Sequence, residues 1–289
     1  MSKYKYNKDY FSKIDTSDKA YWLGFLYADG CINSYYQNDK LKSMTLEIGL
    51  CYKDKGHLEK FKECLETNVP ISDKTNKIGG KEYKSSRIQL CNTKICYDLC
   101  DLGCTPRKTY DLKFPTYDIV PYEYMRDFLR GFFDGDGCIH ISEMKGKPHI
   151  QLNISGVSTM LESIVDFLIV EKIIRKKPKI YQDNRSNACN VYFYGTDTNK
   201  ELLDYLYKDS DIYLDRKYQK YVDFYKDYDD KTSKRGVYYS KHNNAYIVSI
   251  YINGKKKRIG QYKNIDDAIH ARKEAEIEKM NILNSPLNQ

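Results

Sequence analysis

Gly24-Phe25-Leu26-Tyr27-Ala28-Asp29-Gly30-Cys31-Ile32 returns later in the chain as Gly131-Phe132-Phe133-Asp134-Gly135-Asp136-Gly137-Cys138-Ile139, with six of nine positions identical. Around each copy the surroundings repeat as well. Alternating apolar and polar residues follow, Leu46-Glu47-Ile48-Gly49-Leu50 in the first half and Ile150-Gln151-Leu152-Asn153-Ile154 in the second, the pattern of half-buried strands. A helical stretch comes next, Leu58 to Leu65 and Met160 to Val170, then a second strand-like run, Arg87 to Cys91 and Asn190 to Tyr194. Further helices, Thr93 to Leu102 and Asn199 to Tyr207, lead to Arg107-Lys108 and Arg216-Lys217. Lys108 lies 79 residues after Asp29 and Lys217 lies 81 after Asp136, so the spacing describes a tandem duplication of one α+β unit. Two such halves pack naturally about a pseudo-two-fold axis, a shape suited to a DNA duplex.

Within each repeated helix, small residues stand four apart, Gly24 with Ala28 and Gly131 with Gly135. Glycine inside a helix costs about 1 kcal/mol, so two such faces point to close backbone approach between the helices. Gly30 and Gly137 follow the last turn, where a left-handed terminating residue is expected. Asp29 and Asp136 then sit at helix C-termini, where the macrodipole disfavours an anion. Bringing the helices together would also bring the carboxylates together, a second unfavourable interaction that a divalent cation removes. Oxygen-only ligation suits Mg²⁺, bound by one or two carboxylates plus substrate phosphates. Two violations of local preference at equivalent positions point to function.

Composition frames this reading. The 289 residues are 41% hydrophobic and 30% charged, enough for one large core or two to three smaller ones. The polar N-terminus and the absence of any apolar run of about 20 residues give the expectation of an intracellular protein, in a prokaryotic or virus-infected cytoplasm or an organelle matrix, with no membrane partner. Nine cysteines without a CxxC pair read as reduced, mostly buried thiols. The net charge is +8, and residues 231 to 289 hold 12 basic and 5 acidic side chains. A basic surface of that kind attracts phosphate backbones.

These residues resemble the LAGLIDADG homing endonucleases in their single-chain, two-motif form, with Trp22 to Gly30 and Leu129 to Gly137 in the place of the two signatures and the resemblance running over residues 17 to 226. It implies an α+β fold of two αββαββα halves, residues 1–118 and 119–228, with saddle-shaped antiparallel sheets cradling the major groove. It also implies a monomeric enzyme that hydrolyses both strands of a long, imperfectly symmetric duplex site to leave short 3′ overhangs. Asp29 and Asp136 would bind Mg²⁺ or Mn²⁺, with the carbonyls of Ala28 and Gly135 as further ligands, and Lys108 and Lys217 would assist the chemistry. Trp22, Tyr27 and Arg130 depart from more typical signature residues. Polar strand positions are the base-reading candidates: Glu47, Arg87 and Gln89 in the first half, Gln151, Asn153, Asn190 and Tyr192 in the second. An intron maturase acting on RNA and a noncatalytic DNA-binding regulator are the alternatives.

After a linker at 229–233, residues 234–281 read as three short strands and a helix over Ile265 to Met280, ahead of a tail at 282–289. Arg235-Gly236-Val237, Tyr246 to Ile250, Ile259 to Tyr262 and Ala268 to Arg272 resemble an AP2/ERF-type DNA-binding domain. That resemblance makes Arg235, Tyr251, Lys256 and Arg258 DNA contacts. The basic run Lys255 to Arg258 follows an Asn253-Gly254 turn. Gly236-Val237-Tyr238 is followed by too little chain for a GIY-YIG nuclease, and His242-Asn243-Asn244 lacks the second histidine of an HNH site. His242 reads as an exposed turn residue.

Overall fold

The computed structural model describes residues 4–106, 112–144, 147–183, 188–233, 236–252 and 255–283. Lys108, Arg235 and the Asn253-Gly254 turn lie outside the described residues. The chain divides into two compact units, Met1–Lys220 and Tyr221–Gln289.

The first unit begins with α1 (Ser17–Asp29), β1 (Gly30–Gln37), β2 (Lys40–Cys51), α2 (Lys55–Cys64), β3 (Ser72–Ile78), β4 (Lys81–Cys91) and α3 (Thr93–Asp101). The same order returns in α4 (Met125–Asp136), β5 (Gly137–Met144), β6 (Lys147–Gly156), α5 (Ser158–Val170), β7 (Ile180–Gln182), β8 (Cys189–Phe193) and α6 (Thr196–Tyr207). Each half is thus αββαββα. Each sheet is antiparallel, ordered β1-β2-β4-β3 in the first half and β5-β6-β8-β7 in the second. Registers coincide across the duplication: Cys31 pairs with Glu47 and Glu47 with Gln89, as Cys138 pairs with Asn153 and Asn153 with Tyr192.

Alternation along the strands separates two faces. Ile32, Leu46, Ile48, Ile88 and Leu90 turn inward and are buried, and Ile139, Leu152, Ile154, Val191 and Phe193 do the same in the second half. Both motif helices run through this core. Residues Ala20 to Tyr27 of α1 and Phe128 to Asp134 of α4 are buried on every side, which accounts for their nearly continuous apolar character. Thr16 caps the start of α1, its side chain accepting from the Lys19 backbone N–H.

Two local expectations are corrected. Gly30 and Gly137 are extended, with φ of −77° and −87°, rather than left-handed. Glycine is needed there for space: a Cβ would lie 2.6 Å from the Leu26 carbonyl oxygen at Gly30 and 2.5 Å from that of Phe133 at Gly137. The cysteines form no disulfide among the described residues, as expected, but only Cys96, Cys104 and Cys189 are buried. Cys31, Cys51, Cys91 and Cys138 are exposed because strand alternation puts them on the outer sheet faces.

Residues 229–233, read above as a linker, are helical and form the end of α7 (Asp215–Ser233). In the second unit β9 (Val237–Ser240), β10 (Ala245–Ile252) and β11 (Lys255–Tyr262) form a sheet of order β11-β10-β9. α8 (Ile265–Leu283) packs on it with Ala268, Ala271 and Ala275 buried. His242 is exposed in the β9–β10 turn. Among the described residues no helix is long and apolar enough to cross a membrane.

Candidate nucleic-acid interface and metal site

The seam between the halves is made by α1 and α4 in backbone contact. A Cβ on Gly24 would stand 2.0 Å from the Phe128 carbonyl oxygen, and one on Gly131 would stand 1.9 Å from that of Tyr21. At the far end of the seam a Cβ on Gly135 would meet the Ala28 Cβ at 2.2 Å and Asp29 Oδ2 at 3.5 Å. The Asp29 carboxylate therefore lies beside the residue that precedes Asp136. Asp29 is exposed and Asp136 half-buried, each at the C-terminus of its motif helix.

The donors here are carboxylate and carbonyl oxygens, which suits a hard divalent cation. Among the described residues no cluster of three or more His, Cys, Asp or Glu side chains could hold a metal ion. A cation at this seam would therefore complete its shell from carbonyls such as those of Ala28 and Gly135, from water and from a phosphate. The residues present fit that requirement.

Lys217 is placed differently from the expectation. Its ammonium is buried under the end of α4, where it donates to the carbonyls of Phe133 at 2.6 Å, Asp134 at 2.7 Å and Gly137 at 2.5 Å. Three protons meet three carbonyls, so the side chain is a C-terminal cap and a positioning group with no donor left over for a phosphate. Burial pushes its pKa down to about 8, while the charges of Asp134 and Asp29 pull it back up. Arg216 is likewise structural: its Nε donates to Asp54 Oδ2 at 2.8 Å, tying the second half to the first. Lys60 makes another such tie, donating to the Tyr213 carbonyl and Asp215.

Beneath the seam lies a polar network that the sequence reading missed. Asp134 is fully buried and accepts from the hydroxyls of Tyr21 at 2.7 Å and Tyr207 at 2.5 Å, and from the Leu214 N–H at 2.7 Å. Burial raises its pKa, opposed by Lys217 and these hydrogen bonds. The Tyr21 hydroxyl also lies 3.0 Å from His57 Nε2. Since its proton goes to Asp134, His57 Nε2 carries the hydrogen and donates back to Tyr21. Nδ1 finds no hydrogen-bond partner among the described residues, and burial first, then the charges of Lys60, Lys217 and Arg216, lowers the His57 pKa to about 3. Trp22 packs against this ring, centroids 4.8 Å apart. Arg130 is also buried, paired with Asp127 at 2.7 Å and bonded to the carbonyls of Leu206 and Ile212. All three departures from the signature, Trp22, Tyr27 and Arg130, are thus buried, and Trp22 and Arg130 adjoin this network.

All seven strand candidates fall on the outer faces. Glu47, Arg87 and Gln89 are joined: Glu47 accepts from the Gln89 amide at 2.6 Å and pairs with Arg87 at 3.5 Å. In the second half Asn153 pairs across the sheet with Tyr192, Gln151 with His140, and Asn190 bonds Ser155 at 2.7 Å. Tyr181, Tyr192 and Tyr194 form an aromatic row there, neighbouring centroids 6.0 and 6.4 Å apart. In the second unit Tyr251 pairs with Lys256 and Ser249 with Arg258. The Lys256 ammonium sits over the Tyr238 ring at 5.4 Å, and Arg258 donates to Gln261. Tyr251, Lys256 and Arg258 share one exposed face.

Residues 123–207 match the family model described as LAGLIDADG-like domain. The solved structure of the LAGLIDADG homing endonuclease I-GzeII in complex with its DNA target is similar at TM-score 0.50 and 13% identity, covering 88% of this chain and 97% of that one. Meganuclease I-SmaMI bound to uncleavable DNA gives TM-score 0.49 and 15% identity over 71% and 88% of the two chains, and I-AabMI bound to uncleaved DNA gives 0.46 and 15% over 74% and 91%. No curated protein sequence matches the chain. The likeness to I-GzeII is one of fold, with the internal repeat as its independent counterpart in sequence.

Proposed function

We propose that this protein is a site-specific DNA endonuclease that cuts both strands of a long duplex site in the presence of Mg²⁺ or Mn²⁺. The observation that carries the reading is the approach of Asp29 Oδ2 to Gly135, the residue before Asp136, at the ends of two helices in backbone contact, and it supports a site shared by Asp29 and Asp136. Divalent cations at the seam would polarise the scissile phosphates and lower the pKa of attacking water. The chain's own residues do the rest. Asp29 and Asp136 hold charge at the seam, one from each half. Lys217 fixes the backbone leading into Asp136 and neutralises carbonyls that would otherwise repel phosphate. Glu47, Arg87, Gln89, Gln151, Asn153, Asn190 and Tyr192 orient the duplex from the sheet faces. The basic face of residues 255–258 supports an additional DNA contact through Tyr251, Lys256 and Arg258, in the manner of an AP2/ERF-like domain.

The test is selection of cleaved sites from a randomised duplex library with Mg²⁺, followed by cleavage and binding assays of Asp29→Asn and Asp136→Asn. Each variant is expected to lose double-strand cleavage and keep duplex binding. Undiminished cutting by either one, or a wild-type protein that binds duplex DNA and never cuts it, overturns the assignment.

A further inference from the structure

A cleft of about 520 Å³ lies between the N-terminal arm and the first sheet, lined by Tyr4, Tyr6 and Lys8 on one side and by Gln89, Cys91 and Thr93 on the other. We propose that this cleft is a second DNA subsite, binding a sugar-phosphate segment in the flank of the duplex; the inference rests on the endonuclease reading and extends it to residues outside both motifs.

The arm is fixed before any ligand arrives. Lys5 donates its N–H to Asn68 Oδ1 at 2.7 Å, Thr67 Oγ1 donates to the Lys5 carbonyl at 2.7 Å, and the Asn7 N–H donates to the Leu65 carbonyl at 2.9 Å. Across the cleft the Tyr6 hydroxyl donates to the Cys91 carbonyl at 3.1 Å. These bonds hold residues 5–7 against the domain without a ligand, which lowers the entropic cost of binding.

Its chemistry fits an anion. The lining carries an ammonium, two phenols and a threonine hydroxyl, and no carboxylate is among the lining residues. The nearby acids Asp9 and Asp98 are both engaged by Lys94, at 3.0 and 2.7 Å. Gln89 and Asn92 are the lining amides, and Asn92 already caps α3 by accepting from the Ile95 N–H, so away from Gln89 the cleft offers more to a phosphate than to a base edge, with tyrosine rings beside the apolar edge of a deoxyribose. α3 starts in the same cleft, its positive end adding to the preference. Gln89 and Cys91 stand on the same outer face as Glu47 and Arg87, so the cleft continues the candidate base-reading surface.

Cys91 is an exposed thiol inside the cleft and Cys31 and Cys138 are exposed thiols elsewhere on the outer faces, so the full chain reports its own occupancy. N-ethylmaleimide modification of each cysteine is followed by peptide mass spectrometry, with and without a saturating mixed-sequence duplex of about 40 base pairs in EDTA, at low salt where nonspecific binding is strong. Modification of Cys91 should slow roughly tenfold with Cys31 and Cys138, while half-buried Cys100 on α3 is unaffected. Protection of Cys31 and Cys138 with Cys91 reacting at its unbound rate overturns the cleft and leaves the endonuclease reading standing. Protection of none of them removes both. Lys8→Glu should also weaken binding of that duplex about three- to tenfold near 0.1 M salt and reduce the salt slope by about one contact; an unchanged slope counts against the cleft.

Discussion

Replacing Gly131 by alanine tests the seam directly. The added Cβ would lie 1.9 Å from the Tyr21 carbonyl oxygen and 2.8 Å from the Phe25 nitrogen, where ordinary contact begins at 3.4 Å. The obstacle is helix backbone, which has no rotamer to turn away, so α1 and α4 must separate by about 1.5 Å. Alanine recovers about 1 kcal/mol of helix propensity. Against this stand the strain of overpacking, about 1–3 kcal/mol, and the weaker dispersion attraction along the rest of the parted helices. With about 1 kcal/mol for the dispersion lost along the parted helices, the forecast is a net loss of about 1–3 kcal/mol, or about 2–12 °C in Tm for a unit of this size. The same displacement moves Asp136 away from Asp29, and a misplacement of about 1 Å costs roughly a hundredfold in rate. Gly56, within α2, has nothing within 4 Å of its would-be Cβ, so Gly56→Ala should be neutral to stabilising. Thermal unfolding followed by circular dichroism, with cleavage rates measured alongside, decides the matter. If Gly131→Ala matches Gly56→Ala in Tm and cuts at the wild-type rate, the close-packed seam is wrong.

Three other perturbations follow from the interior and the sheet face. His57 stays neutral in the fold down to about pH 3, whereas the unfolded chain takes up its proton near pH 6.5. Stability should therefore fall as pH drops from about 6.5 toward 3, by as much as about 1.4 kcal/mol per unit from this group. His57→Gln should flatten that limb in urea titrations between pH 4 and 7, and an unaltered limb rejects the assignment. Lys217→Met takes the ammonium from three buried carbonyls, of which that of Phe133 keeps the Gly137 N–H, and should cost about 2–4 kcal/mol in denaturant midpoint experiments. Lys217→Arg should not restore it, because a planar guanidinium cannot aim at three converging oxygens. Glu47→Ala frees Arg87 and Gln89 and removes a carboxylate from the outer sheet face proposed to meet DNA. Nonspecific duplex affinity should rise severalfold and preference at the facing base pairs should relax about tenfold in a library selection, whereas a sharper preference would show that Glu47 does not orient them.

What could be read from the sequence was what repeats or alternates. The duplicated nonapeptide located both motif helices, and the small residues at four-residue spacing foretold their backbone contact. Period-two patterning put Glu47, Gln89, Asn153 and Tyr192 on an outer face. The short or polar strands were harder: β3 is Ser-Asp-Lys-Thr-Asn-Lys-Ile, an edge strand without apolar alternation, and β7 has three residues. The network around Asp134 was out of reach because Tyr21, Tyr207 and Leu214 lie 113, 73 and 80 residues away, and only tertiary packing brings them together. Lys217 shows the limit of motif transfer. Its position matched a motif, but which atoms its ammonium meets is decided by how the chain after α6 passes under α4.

That buried acid also records how far the two halves have diverged. In the aligned repeat Tyr21 corresponds to Phe128, and Asp134 to Tyr27. A twin made from two copies of the later segment would bury two carboxylates, each facing a phenyl ring where a phenol now donates. A twin of the earlier segment would have neither acid nor need for one. Concealed complementarity of this sort makes the halves unlike inside while their backbones stay alike, so neither one could pair with a copy of itself and keep the bond from Tyr21 to Asp134.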